Sequence, residues 1–165
     1  MPKVPGVPGV RRVGVVSDTH GLLRPEAIEA LRRSDLIVHA GDVGNADVLE
    51  RLRTMAPTIA VRGNVDTGAW ASALPATEVV EVGGLHLYVL HDISTLDLDP
   101  RAAGFAAVIF GHSHRPSAEL RDGVLFLNPG SAGPRRFSLP IGVARLRVVD
   151  GQLSHELVEL SISTH

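Results

Sequence analysis

The sequence predicts a mixed α/β domain, parallel in its first half and antiparallel later. Two observations carry that prediction. Through residue 66, short apolar runs alternate with polar loops and helical segments, the pattern of parallel strands joined by crossover helices. Beyond residue 77, apolar runs flank two-residue turns that contain Gly, the pattern of β-hairpins.

Each element follows from its residues. Residues 1–10 carry Pro and Gly too densely for a packed element and read as a flexible lead-in, leaving 11–165 as a single domain. Val13-Gly-Val-Val16 is a strand that stops at Ser17-Asp-Thr-His-Gly21. Pro25 suits a helix start, and Ile28 and Leu31 lie three apart along 26–33. Leu36-Ile-Val38 is the second strand, ending at Gly41-Asp-Val-Gly-Asn45. A helix over 46–55 places Val48, Leu49 and Leu52 on one side, with Pro57 beyond it. Thr58-Ile-Ala-Val61 is the third strand and runs into Gly63-Asn-Val-Asp66. Hairpins are expected about Gly83-Gly84, Asp122-Gly123 and Asp150-Gly151. Between the first two, Ala107-Val-Ile-Phe110 reads as a buried strand before Gly111-His-Ser-His114.

Composition removes several chemistries. The chain has 165 residues, 44% hydrophobic and 21% charged, enough for a core without staples. With no Cys there is no disulfide framework, thiolate metal site or cysteine nucleophile. The single lysine, Lys3, lies in the lead-in, which excludes a P-loop or Schiff-base lysine. No Gly-x-Gly-x-x-Gly follows a strand, and neither Ser113 nor Ser131 stands in a Gly-x-Ser-x-Gly elbow. A net charge of −2 predicts no strong grip on nucleic acid. No apolar run is long enough to cross a membrane, and the start lacks a signal-peptide pattern, so a cytoplasmic location is expected.

Eight His in such a chain need a use, and their placement supplies one. Four successive strands end in metal-type ligands: Asp18 and His20, then Asp42, then Asn64, then His112 and His114. His91 follows 85–90 in the same way. Ligands of open α/β sheets gather beyond the carboxyl ends of strands. Asp-x-His and His-x-His spacings turn two ligands to one side of an extended segment. Carboxylate, imidazole and amide together suit first-row divalent metals. Seven ligands exceed one tetrahedral ion and fit two if a carboxylate bridges them.

In this order Asp18-Thr-His20, Gly41-Asp42, Gly63-Asn64 and Gly111-His-Ser-His114 resemble the motif series of the calcineurin-like metallophosphoesterase superfamily. Gly-Asn-Val-Asp66 and Asn128-Pro-Gly-Ser131 resemble its small YfcE-type phosphodiesterase branch. The resemblance implies a four-layer α/β/β/α sandwich, two mixed sheets flanked by helices. It implies that Asp18, His20 and His114 bind one ion, that Asn64, His91 and His112 bind the other, and that Asp42 bridges them. The two divalent ions would be Mn2+ first, with Ni2+, Zn2+, Fe2+ or Co2+ as alternatives. A bridging hydroxide held by Asp42, supported by Asn64 and His112, would attack a small phosphodiester in line. The resemblance also implies a homo-oligomer, dimer or tetramer.

Two positions depart from the family pattern. Val65 stands where the phosphomonoesterase branches have a His, which favours diesters with good leaving groups. Asp92 stands where Gly is usual after the His91 position. His39 is expected to hydrogen-bond behind the ligands, and Asp66, Asp92 and Arg135 to support them or meet substrate. Trp70 either covers apolar surface or stacks a base. The rival readings are a protein-binding scaffold like the related retromer subunit, and a phosphomonoesterase or nuclease of the same superfamily. The scaffold subunit has altered ligand positions, whereas all seven are filled here.

Overall fold

The computed structural model describes residues 11–162, so the lead-in expected over 1–10 and His165 lie outside the described residues. In chain order the elements are β1 (Arg12–Val16), α1 (Pro25–Leu31), β2 (Leu36–His39), α2 (Ala46–Arg53), β3 (Thr58–Ala60) and α3 (Ala69–Ser72). They continue with β4 (Thr77–Val82), β5 (Leu85–Leu90), a 3-10 turn (Ile93–Thr95), β6 (Ala107–Ile109), β7 (Ser117–Arg121), β8 (Val124–Asn128), β9 (Gly142–Val149) and β10 (Gln152–Glu159).

The strands form two five-stranded sheets, ordered β10-β9-β1-β2-β3 and β4-β5-β6-β8-β7. In the first, β1, β2 and β3 are parallel, as the strand–helix alternation predicts, and the β9–β10 hairpin joins β1 antiparallel. The second sheet corrects the antiparallel expectation. β5, β6 and β8 run parallel, and only the outer strands β4 and β7 are antiparallel to their neighbours. The hairpin signals had set the edges of this sheet; its middle is built by the crossovers between β5 and β6 and between β6 and β8. All three hairpin turns have both central residues at positive φ, the twist that matches paired strands.

The sheets pack face to face over Val13, Val15, Val38, Leu87, Val89, Ile109, Leu127 and Leu146. Helices α1 and α2 bury Ala27, Leu31, Val48, Leu49 and Leu52 on the outer face of the first sheet. Asn45 caps α2 by accepting from the Val48 N–H at 3.2 Å. α1 ends two residues earlier than its pattern suggested, because Arg32 is extended and Arg33 is left-handed. The outer face of the second sheet is covered by the 3-10 turn and loops, which pack Ile93, Leu96, Leu98 and Phe105 on Tyr88, Val108 and Phe126. The fourth layer is therefore thin. Among the described residues no helix is long and apolar enough to cross a membrane.

Candidate metal centre

Parallel strands β1, β2, β3, β5 and β6 send their carboxyl ends to one rim, and the loops there carry the expected ligands. The side chains gather in two groups, Asp18, His20 and His114, and Asp42, His91 and His112, with the donor atoms of each group within 4.8 Å of one another. Asn64 joins the second group. Its Oδ1 lies 3.1 Å from His91 Nε2 and 3.2 Å from His112 Nδ1. Asp42 stands between the groups, its Oδ2 3.2 Å from His91 Nε2 and 3.7 Å from His20 Nε2.

Backbone conformation sets these directions. Asp18, His20, Asp42, His112 and His114 all have positive φ, between 48° and 72°. Side chains rarely adopt that region, though Asp and His are among those that tolerate it best. Tight approach explains two of the glycines. A Cβ on Gly63 would strike the Asp42 backbone and carboxylate, and one on Gly111 would strike the Ser17 hydroxyl and the Asp18 carboxylate.

Hydrogen bonds spend the outward-facing atoms and leave the inward ones free. Asp18 Oδ2 accepts from the Ser17 hydroxyl at 2.7 Å and the His112 N–H at 3.1 Å. Its Oδ1 is buried without a hydrogen-bond partner, as are His20 Nε2 and His114 Nδ1. His91 Nδ1 lies 2.7 Å from the Ala40 carbonyl, so that nitrogen donates there and Nε2 faces the cluster. Buried carboxylate oxygens beside inward-facing imidazole nitrogens are a donor set that suits a cation. The residues fit a divalent metal.

In the metal-free pocket, protons are favoured where the cation would sit. Burial raises the Asp18 carboxyl above its ordinary range, only partly offset by Ser17 and His91. Burial opposes ionisation of Asp42 as well, but bonds from His91 and the Val65 N–H hold it at about 2. Burial also works against a charged His91, yet Asp42 and Asp18 leave its pKa raised. His114 falls to about 4 through burial and the charges of Arg136 and His20.

The supporting residues divide. His39 is fully buried and accepts the Gly41 N–H on Nδ1 at 3.1 Å. Its Nε2 meets Thr19 Oγ1 at 3.0 Å, whose hydroxyl donates to the Val43 carbonyl at 2.8 Å. It braces the loops and points away from the ligands. Asp66 likewise accepts backbone N–H groups from Val43, Gly44 and Gly63. Asp92 caps the 3-10 turn through Ser94, and its other oxygen lies 3.9 Å from His112 Nε2. The Arg135 guanidinium donates to the Leu139 carbonyl at 3.1 Å, and the charge of Arg136 bears on His114. Trp70 packs with the helical cluster and so covers apolar surface. Sequence reasoning had given no role to Asn128 and Ser131 individually. Asn128 clamps the ligand turn by donating to Gly111 O and Ser113 Oγ, and the Ser131 hydroxyl donates to the Asp18 carbonyl at 2.9 Å. Their signal was the placement of Asn-Pro-Gly-Ser directly after a buried strand.

Comparison with known proteins identifies the family. Residues 12–151 match the model of the calcineurin-like phosphoesterase superfamily domain. A probable metallophosphoesterase of Methanocaldococcus jannaschii is 33% identical over 86% of this chain and 78% of its own length. A phosphodiesterase of the same organism is 28% identical over 72% of this chain and 82% of its own. Among solved structures, Vps29 of Chaetomium thermophilum superposes with a TM-score of 0.74 at 17% identity over 91% of this chain and 97% of that one. The YfcE phosphoesterase of E. coli does so with a TM-score of 0.65 at 22% identity, over 90% and 100%. At those identities the two structures speak for the fold. With an ordered ligand series, a matched domain and a relative of one-third identity, this chain belongs to the calcineurin-like metallophosphoesterase superfamily.

Proposed function

We propose that the protein is a two-metal phosphodiesterase. The observation that carries this is Asp42 Oδ2, which stands within 3.2 Å of His91 and 3.7 Å of His20 and so links two otherwise separate ligand groups. In this reading Asp18, His20 and His114 hold one divalent ion, Asn64, His91 and His112 the other, and Asp42 touches both. When bound, such a pair supplies Lewis acidity and lowers the pKa of water, which is what phosphoester hydrolysis requires. Mn2+ is the first candidate, since the donor set mixes imidazole with carboxylate.

The chain's own residues account for the rest. The hydrogen bonds behind Asp18, Asp42 and His91 fix donor atoms before a substrate arrives, so little reorganisation remains at reaction. Val65, 43% exposed beside Asn64, has no proton to give a leaving group. That supports diesters whose leaving group departs unassisted, in line with the phosphodiesterase name of one relative.

The test is hydrolysis of bis-aryl diesters, aryl monoesters, cyclic nucleotides and DNA with added Mn2+, together with elemental analysis. Diester preference, two metals per chain, and a folded but inactive Asp42→Ala are expected. Monoester preference would overturn the substrate class. A metal-free chain inert toward every ester would overturn catalysis and favour a scaffold.

A further inference from the structure

A second concavity lies away from the metal centre. A groove of about 720 Å³ opens beside the amino end of β1, a strand's length from Asp18, where the outer face of β1, β9 and β10 emerges from under α1. Toward the ligand rim that face is apolar and covered, through Val143 and Val158. Away from the rim it turns basic, because β9 alternates buried Leu146 and Val148 with exposed Arg145 and Arg147. Five arginines line the groove against two glutamates, in a chain whose net charge is −2.

Two ion pairs account for part of this charge. Arg32 meets Glu29 at 2.9 Å and Arg145 meets Glu156 at 3.1 Å. Arg12, Arg33 and Arg147 have no carboxylate partner among the described residues. Asp35 lies nearby, but its Oδ2 accepts the backbone N–H groups of Arg11 and Arg12. Residues 1–10, which lead into β1, contain no Asp or Glu.

The arrangement of these three is unfavourable without an anion. Arg12 and Arg147 are directly opposed in the β1–β9 register, a like-charge cross-strand pair that destabilises a sheet. Arg33 holds a left-handed backbone, φ 72°, just past the end of α1, and lines the same groove. Three unpaired guanidinium forks from three elements thus face one cavity of small-ligand size.

We propose that this groove is a binding site for a small oligophosphate, independent of the metal centre. Guanidinium forks match phosphate oxygens in pairs, so the opposed Arg12 and Arg147 suit one phosphoryl group and Arg33 a second. A nucleic-acid backbone would need a basic stripe beyond the groove, which a chain of net charge −2 does not favour. No aromatic residue lines it to anchor a peptide.

The test titrates chelator-treated, metal-free protein with inorganic tripolyphosphate by calorimetry, at low and at physiological salt. One-to-one binding that weakens with salt is expected, equal in the parent and in Asp42→Ala. The double variant Arg12→Ala/Arg147→Ala should bind at least about tenfold more weakly, the loss of one charge-assisted contact or more. Arg33→Ala alone should also weaken binding, while melting curves report that each variant is folded. The proposal is overturned if tripolyphosphate does not bind, or if the arginine variants bind as the parent does. It is equally overturned if Asp42→Ala abolishes binding, or if duplex DNA or an acidic peptide binds more tightly than tripolyphosphate.

Discussion

Asp66 carries no metal, yet removing its carboxylate should cost more stability than removing a typical surface charge. It is 4% exposed and accepts three backbone N–H groups: Gly63 at 2.9 Å, Gly44 at 2.9 Å and Val43 at 3.2 Å. In Asp66→Ala these donors lose a charged acceptor, and water reaches only the partly buried Gly44. An abandoned buried donor costs about 1–3 kcal/mol, so the Val43 and Gly63 donors together cost roughly 2–6 kcal/mol. At about 2–4 °C per kcal/mol for a chain of this size, the midpoint should fall by roughly 4 °C or more. Asp66→Asn keeps one acceptor oxygen and should fall about half as far. Calorimetric unfolding in chelator is the right assay, because bound metal would add its own stabilisation. The same loops carry Asp42 and Asn64, so metal affinity should drop in parallel. An Asp66→Ala protein that melts within about 2 °C of the parent, with metal affinity unchanged, would refute the reasoning.

Further outcomes follow from the same geometry. Burial, with the charge of His91, holds His39 neutral in the folded protein down to about pH 3, whereas the unfolded chain protonates it near 6.5. Stability from this residue is therefore complete above pH 6.5 and lost on acidification, by about 1.4 kcal/mol per pH unit between 6.5 and 3. Urea midpoints of the metal-free protein against pH should show that slope, and His39→Gln should flatten it; parallel profiles count against it. In Gly111→Ala the new methyl must displace Ser17 or Asp18, so a cost of about 1–3 kcal/mol is expected. Its melting curve and Mn2+ titration should both deteriorate, and a variant that binds metal normally contradicts the close approach. Chelation of the loaded protein should lower its midpoint, since an ion at about a hundred times its dissociation constant contributes about 2.7 kcal/mol. An unchanged midpoint would mean that the buried carboxylates do not need the cation.

Periodicity and turn chemistry made most of the fold legible. Three two-residue turns with Gly at the second position could only be hairpins, and the apolar runs before Asp18, Asp42 and Asn64 could only be strands whose ends meet. Parallel pairing of β5, β6 and β8 was not legible, because the connections that produce it are loops rather than patterned helices. Local sequence does not say that residues 93–105 cover a sheet face through Leu96, Leu98 and Phe105. The ligand loops were legible because glycine precedes Asp42, Asn64 and His112, and the structure supplies the reason at Gly63 and Gly111. Support came from less distinctive residues. Asn128 and Ser131 act across the chain on Gly111 and Asp18, a relation that no spacing records. Arg135 and Arg136 are adjacent and chemically identical, so only the path of the loop decides that Arg135 donates to Leu139.

The left-handed residues show how the site is held in readiness. Five candidate ligands adopt a conformation that costs on the order of 1 kcal/mol or more each. The ligand loops hold one another there. The Asp18 N–H donates to Gly41 and the His20 N–H to the Asp42 carbonyl, both at 3.0 Å. The Val65 N–H donates to Asp42 Oδ1 at 3.0 Å, the Gly111 N–H to the His91 carbonyl at 2.9 Å, and the His112 N–H to Asp18 Oδ2. The loops after β1, β2 and β3 are thus tied to one another, and those after β5 and β6 join them through Gly111 and His112. Rigidity gained this way is shared, so a fault in one loop loosens ligands it does not contain. Substitutions in separate ligand loops should therefore not add in their effect on metal affinity, even where their side chains do not touch. The strain is offset by packing and hydrogen bonds of the fold, which leaves the affinity of the site for cations to be set by charge and donor geometry alone.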